Sequence, residues 1–122
     1  MKKILVVDDS ATVRQQVGLA LTQAGYSVLE AGDGIEGLAV LEKGGDIAMV
    51  ICDVNMPRMN GLDMLDCIKR DPRHSSIPVV MLTTEGHPGL VDRAKKAGAK
   101  GWIVKPFKAE LMISAVGKLV GA

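Results

Sequence analysis

A chain of 122 residues, 48% of them hydrophobic and with mean hydropathy +0.21, carries enough apolar material for one packed domain, which excludes a disordered polymer. Its net charge of +1 provides no whole-molecule field for nucleic acid or an anionic membrane, and one Trp, one Tyr and one Phe make no base-stacking platform. Met1-Lys2-Lys3 leads into the short apolar run Ile4–Val7, too little for a signal-peptide core, and no run approaches a membrane span, so a cytoplasmic protein is expected.

Short apolar runs alternate with amphipathic stretches. The first strand, Ile4–Val7, is followed by a helix with Ser10 as N-cap, a buried face of Val13, Val17, Ala20, Leu21 and Ala24, and a stop at Gly25. A second strand covers Tyr26–Ala31. Asp33 and Glu36 have capping-box spacing and open a helix carrying Ile35, Leu38 and Leu41, which Gly44-Gly45 ends. The third strand is Ile47–Cys52. A loop of turn formers, 54–61, leads to a helix with Leu62, Leu65 and Ile68 that stops before Asp71-Pro72. The fourth strand is Ile77–Leu82. Pro88 fits the first turn of the next helix, which carries Leu90, Val91, Ala94 and Ala97 and closes at Gly98. The last strand is Gly101–Val104, followed by a helix from Phe107 to about Val120. In that helix Leu111, Met112, Ala115, Val116 and Leu119 suffice for a core-facing stripe, and Ile113 and Val120 widen it towards a partner or dimer face. Repeated βα units joined by short loops predict a parallel sheet covered on both faces by right-handed crossovers, in an open doubly wound α/β fold rather than a barrel.

Polar residues stand where these strands end. Asp8 and Asp9 follow the first, Asp53 the third, Thr83 the fourth and Lys105 the fifth. Carboxyl ends of strands in open α/β sheets converge on one crevice, so residues distant in sequence form one acidic pocket beside a lysine. Were the three carboxylates about 5 Å apart, each pair would repel by about 3 kcal/mol at an effective dielectric near 20. The total approaches the entire stability of a small domain, so either one carboxylate stays protonated or a divalent cation enters. Oxygen ligands with room for water suit Mg²⁺. With a cation present, a carboxylate can act as a nucleophile towards phosphorus. Each residue alone has a plainer reading: an Asp pair favours a helix N-terminus, and a lone Thr or Lys at a strand end is commonly structural or solvated. Cys52 and Cys67 lack metal spacing and read as reduced structural thiols, His74 and His87 have no sequence partner for a metal, the methionines read as core filler, and no Gly-rich Walker loop is present.

The stretches Leu5-Val6-Val7-Asp8-Asp9-Ser10, Asp53-Val54-Asn55-Met56-Pro57-Arg58-Met59-Asn60-Gly61, Leu82-Thr83-Thr84-Glu85 and Gly101-Trp102-Ile103-Val104-Lys105-Pro106-Phe107 together resemble the receiver domain of two-component response regulators, in its stand-alone chemotaxis form. The resemblance covers the whole chain and implies a flavodoxin-like (βα)5 fold with strand order 2-1-3-4-5, residues 1–122 forming a single receiver domain without an output domain. It implies Asp53 as phosphoacceptor. Mg²⁺ would be held by the carboxylates of Asp9 and Asp53, by the Asn55 backbone carbonyl and by Asp8 through water, with Thr83 and Lys105 on the phosphoryl group. A sensor histidine kinase of the chemotaxis type would donate that group, and the receiver would catalyse only its own phosphorylation and dephosphorylation. Asn55 and Glu85 hold the positions that set phosphoryl lifetime, and Trp102 holds the position of the aromatic residue that turns inward on activation, where Tyr or Phe is more usual. The implied output is a flagellar motor switch protein, or another target, on the face of the fourth helix, fifth strand and fifth helix; a phosphatase is a further partner, and the chain is expected to be monomeric. Two single-domain alternatives, a phosphorelay shuttle and a phosphate sink, share these residues. A metal-dependent phosphatase with an aspartyl nucleophile wants an acid two residues after it, where Asn55 stands. A flavin carrier would find its phosphate repelled by the carboxylates.

Overall fold

The computed structural model describes residues 2–43, 45–84 and 86–121. Five strands and five helices alternate: β1 Lys3–Val7, α1 Ala11–Gln23, β2 Ser27–Ala31, α2 Gly34–Lys43, β3 Ile47–Cys52, α3 Gly61–Arg70, β4 Val79–Thr83, α4 Pro88–Lys96, β5 Gly101–Val104 and α5 Ala109–Val120. The strands form one parallel sheet in the order β2-β1-β3-β4-β5. That is the fold expected from the alternation of runs, with the strand order implied by the resemblance.

Alternation along the strands divides the core in two. Leu5, Val7, Val50, Cys52, Val79 and Met81 face α2, α3 and α4, whereas Ile4, Val6, Met49, Ile51, Val80 and Leu82 face α1 and α5. β1, β3 and β4 are buried on both faces, which is why they read as unbroken apolar runs. Local chemistry sets the helix starts. The Ser10 hydroxyl accepts from Val13 N–H at 3.3 Å, Asp33 Oδ1 from Glu36 N–H at 2.9 Å, and Asn60 Oδ1 from Asp63 N–H at 2.9 Å. Pro88 occupies the first turn of α4, and Gly98, at φ +106°, follows its C-cap. Of the pair expected to end α2, Gly45 has φ +71°, and Gly44 lies outside the described residues. At the far end of the sheet, Tyr26 Oη donates to Gly121 O at 2.9 Å and Lys2 Nζ to Val120 O, tying the last turn of α5 to β1 and β2.

Several sequence expectations are corrected. Tyr26 is buried but precedes β2. β4 begins at Val79, because Ile77 N–H is taken by His74 O and Pro78 has no N–H; it runs on through Thr83. α5 starts at Ala109, after a cis Lys105–Pro106 bond. Ala24 is exposed at the C-cap of α1, and Ile35 is 45% exposed because Gly34, Gly37 and Leu41 take the inward positions of α2. The α5 stripe is rotated. Met112 and Val116 are buried with Ile113 and Val120 packed beside them, whereas Leu111 is 66% exposed and Leu119 points outward. The helix is apolar on more than one side, so its pattern fits two faces, and contact with α1 and the sheet selects one.

On the surface, Arg73 bridges Asp71 at 2.7 Å and Glu42 at 2.6 Å, joining the end of α3 to α2. Hydrogen bonds from the Arg73 side chain and backbone hold the Asp71 carboxyl down at about 2. A carboxyl depressed in the folded state adds stability above its ordinary value and loses it as pH falls through the folded value. Asp71→Asn should therefore be less stable than wild type at neutral pH. Urea midpoints should show that gap closing as pH falls from about 4 towards about 2.

Candidate functional site

β1 and β3 are neighbours in register, Val7 beside Cys52, so the residues that leave them emerge side by side. Asp8 N–H donates to Ala31 O at 3.0 Å and Asp53 N–H to Val7 O at 2.9 Å, so both acids are still held by the ladder as the strands end. Carboxylate oxygens of Asp8, Asp9 and Asp53 lie within 4.8 Å of one another, close enough for strong mutual repulsion. Asp8 and Asp53 are buried and Asp9 is exposed. Lys105 Nζ donates to Asp8 Oδ2 at 2.7 Å and to Asp53 Oδ2 at 3.0 Å. Lys105 N–H in turn donates to Thr83 O at 2.8 Å, which sets the lysine against the end of β4.

Burial pushes the Asp8 carboxyl above its usual value, and the charge of Asp53 adds to this, while hydrogen bonds from Lys105 and Ser10 N–H oppose it. Burial pushes the Lys105 pKa down, but its bonds to Asp8 and Asp53 outweigh that and hold it above its ordinary value. The lysine is the internal counter-ion to two of the three carboxylates. Asp8 Oδ1 accepts from Ser10 N–H at 2.9 Å and Asp53 Oδ1 from Val54 N–H at 2.7 Å, so each buried acid has one oxygen tied to backbone and the other on Lys105. Among the described residues no buried side-chain nitrogen or oxygen lacks a partner. The donor set is oxygen-only with one member in solvent, which fits a hard divalent cation that keeps some of its water.

Of the other expected site residues, Thr83 is wholly buried at the end of β4 and Asn55 is exposed in the β3–α3 loop. Trp102, on the edge strand β5, is half-buried against the α2–α4 side of the core. Glu85 lies outside the described residues. Cys52, next to Asp53, is a buried thiol whose pKa burial pushes up, with the charges of Asp53 and Asp8 adding to it; its Sγ donates to Asp53 O at 3.3 Å.

Sequence reasoning missed two arginines. Arg14 Nη1 donates to Asp8 O at 2.5 Å and its Nε to Glu30 at 3.0 Å, clasping the end of β1 from α1. Arg58 is bound to Asp33, in the α2 cap, through Nε and Nη2, each 2.7 Å from Oδ2. A basic residue in a helix or loop reads as solvated, and nothing local in the sequence marks either contact. Asp33 was legible only as a cap; its carboxyl is held below the usual range by the Glu36 N–H and then by Arg58.

The chain matches the response regulator receiver domain family over residues 4–117. It is 42% identical over 120 residues to chemotaxis protein CheY1 of Helicobacter pylori, covering 98% of this chain and 97% of that one. To a CheY homolog of Campylobacter jejuni the identity is 39%, with 98% and 92% covered. The structure of chemotaxis protein CheY4 of Vibrio cholerae superposes with TM-score 0.91 at 39% identity, over 98% of each chain.

Gly61 makes the compactness of the site testable. A Cβ there would stand 1.9 Å from Asp53 O and 2.9 Å from Met81 Cε. Gly61→Ala must displace the backbone of Asp53 or the start of α3. It should cost about 3 kcal/mol or more in urea unfolding, the upper end for overpacking.

Proposed function

We propose that this chain, which belongs to the response regulator receiver family, is a chemotaxis response regulator that accepts a phosphoryl group on Asp53 from a histidine kinase. The observation that carries the reading is the approach of three carboxylates within 4.8 Å, with Lys105 bonded to two of them at the strand ends. Asp8, Asp9 and Asp53, with the backbone carbonyl of Asn55, are the proposed ligands of Mg²⁺. When bound, Mg²⁺ offsets the carboxylate charge and the charge on the transferring phosphoryl oxygens.

An Asp53 carboxylate oxygen attacks phosphorus. The new O–P bond forms as the N–P bond to the kinase histidine breaks, and the electron pair returns to the imidazole nitrogen. Lys105 moves from Asp53 to a phosphoryl oxygen, where the Thr83 hydroxyl also donates. Asn55 and Glu85 are the residues proposed to influence phosphoryl lifetime. The only chemistry assigned to the chain is gain and loss of its own phosphoryl group, the second assisted by a partner phosphatase.

The proposed output is the α4–β5–α5 face. A shallow groove of about 360 Å³ there is lined by Trp102, Val104, Phe107, Lys108, Leu111 and Ala115. Val104 is 46% and Leu111 66% exposed, an apolar surface suited to a flagellar motor switch protein. No observation favours a shuttle or a phosphate sink, and Asn55 speaks against the phosphatase reading. No described helix is long and apolar enough to cross a membrane.

Labelling from acetyl phosphate should be abolished in Asp53→Asn; incorporation at the wild-type rate would remove Asp53 from its role. A peptide from the N-terminus of a flagellar switch protein, followed through Trp102 fluorescence, should bind about tenfold more tightly with Mg²⁺ and beryllofluoride. A beryllofluoride response without peptide binding would place the output on another partner.

A further inference from the structure

We infer that the Arg58–Asp33 pair is a clamp that shapes the β3–α3 loop for cation binding, which makes Arg58 a positioning residue outside the ligand set. The inference rests on the proposed metal site. The loop leaves β3 at Asp53 and enters α3 at Gly61. Both ends are fixed: Val54 N–H bonds Asp53 Oδ1 at 2.7 Å, and Gly61 N–H bonds Val54 O at 2.9 Å. Asn55, whose carbonyl is the proposed ligand, lies on the span between, and that span is tied down at 58–59. Gly34 N–H donates to Met59 O at 3.1 Å, and a Cβ on Gly34 would stand 2.6 Å from Met59 Cγ.

Arg58 has φ 62°, the only positive value at a non-glycine among the described residues. A residue with a side chain holds that conformation only where its surroundings enforce it. Here the enforcing contact is the pair of 2.7 Å bonds to Asp33 Oδ2. The Arg58 side chain is 58% exposed, but that of Asp33 is only 7% exposed, so this is no ordinary solvated pair. Asp33 Oδ1 is already committed to Glu36 N–H at 2.9 Å. One carboxylate therefore caps α2 through Oδ1 and anchors the loop through Oδ2. Loss of the anchor loosens the span that carries Asn55, which the Gly34–Met59 bond still holds at one point. The ligands remain but no longer hold their geometry, and loss of such outer supports weakens metal binding about 10- to 100-fold.

Mg²⁺ titration by calorimetry, with thermal unfolding in parallel, tests the clamp on the full chain. Arg58→Gly removes the tether but suits the left-handed backbone, so its unfolding midpoint should stay near wild type while its Mg²⁺ affinity falls about tenfold. Asp33→Asn keeps a competent cap and should lose as much affinity, and combining the two changes should add nothing further. Arg58→Lys should restore part of the affinity. Wild-type affinity in folded Arg58→Gly and Asp33→Asn would overturn the clamp alone. A wild-type protein that takes up no Mg²⁺ would overturn the site reading, and the clamp with it.

Discussion

Like charges within 4.8 Å of one another repel, and Asp8, Asp9 and Asp53 are held at that separation with Lys105 as the ammonium between two of them. The rest of the fold is consistent with the need to hold them there. β1 and β3, which deliver Asp8 and Asp53, are central in the sheet and buried on both faces. Only strands fixed in that way can keep two buried carboxylates together, because a frayed strand end would let them part into water. Asp9 is spared the cost by facing solvent.

Lys105 settles part of the conflict and leaves part open. Its bonds stabilise the charged lysine, but Asp8 stays above its ordinary value, because burial outweighs what one ammonium returns. A pocket whose buried Asp8 is still under-compensated is one that a further cation would relieve. The backbone around it has little slack, since there is no room for a Cβ on Gly61 beside the Asp53 carbonyl and Arg14 holds the Asp8 carbonyl from α1.

Much of this architecture is legible in the sequence. β1, β3 and β4 could be read because strands buried on both faces write themselves as apolar runs, and the carboxylate cluster followed because parallel strands all end on one side. Three kinds of feature were not legible. Strand starts depended on the turns just before them, where Tyr26 N–H bonds Leu21 O and Ile77 N–H bonds His74 O. The facing of α5 cannot be chosen from a helix apolar around most of its surface: the pattern allows Leu111 and Leu119 inward, but Ile113 and Val120 pack there instead. The contacts of Arg14 and Arg58 arise where two loops or a loop and a helix meet, and no local spacing encodes such a meeting.

The rotation of α5 bears on how the site could speak to a partner. Had Leu111 been buried, the helix would have offered little apolar surface beside β5. With Met112 and Val116 inward, Leu111 and Ala115 are left to line the groove with Trp102 and Val104. Lys105 is joined to that groove by Pro106, Phe107 and Lys108. The ammonium that pairs with Asp8 and Asp53 and the side chains of the groove therefore belong to one short segment. Were Lys105 to move towards a new anion, it would pull on the backbone that holds Phe107, which is partly buried against the α1–α5 side of the core. A packed aromatic does not deform by degrees; it stays or it repacks. That gives a small change in charge at the strand ends a physical route to a discrete change in the apolar face, without requiring the central strands to move.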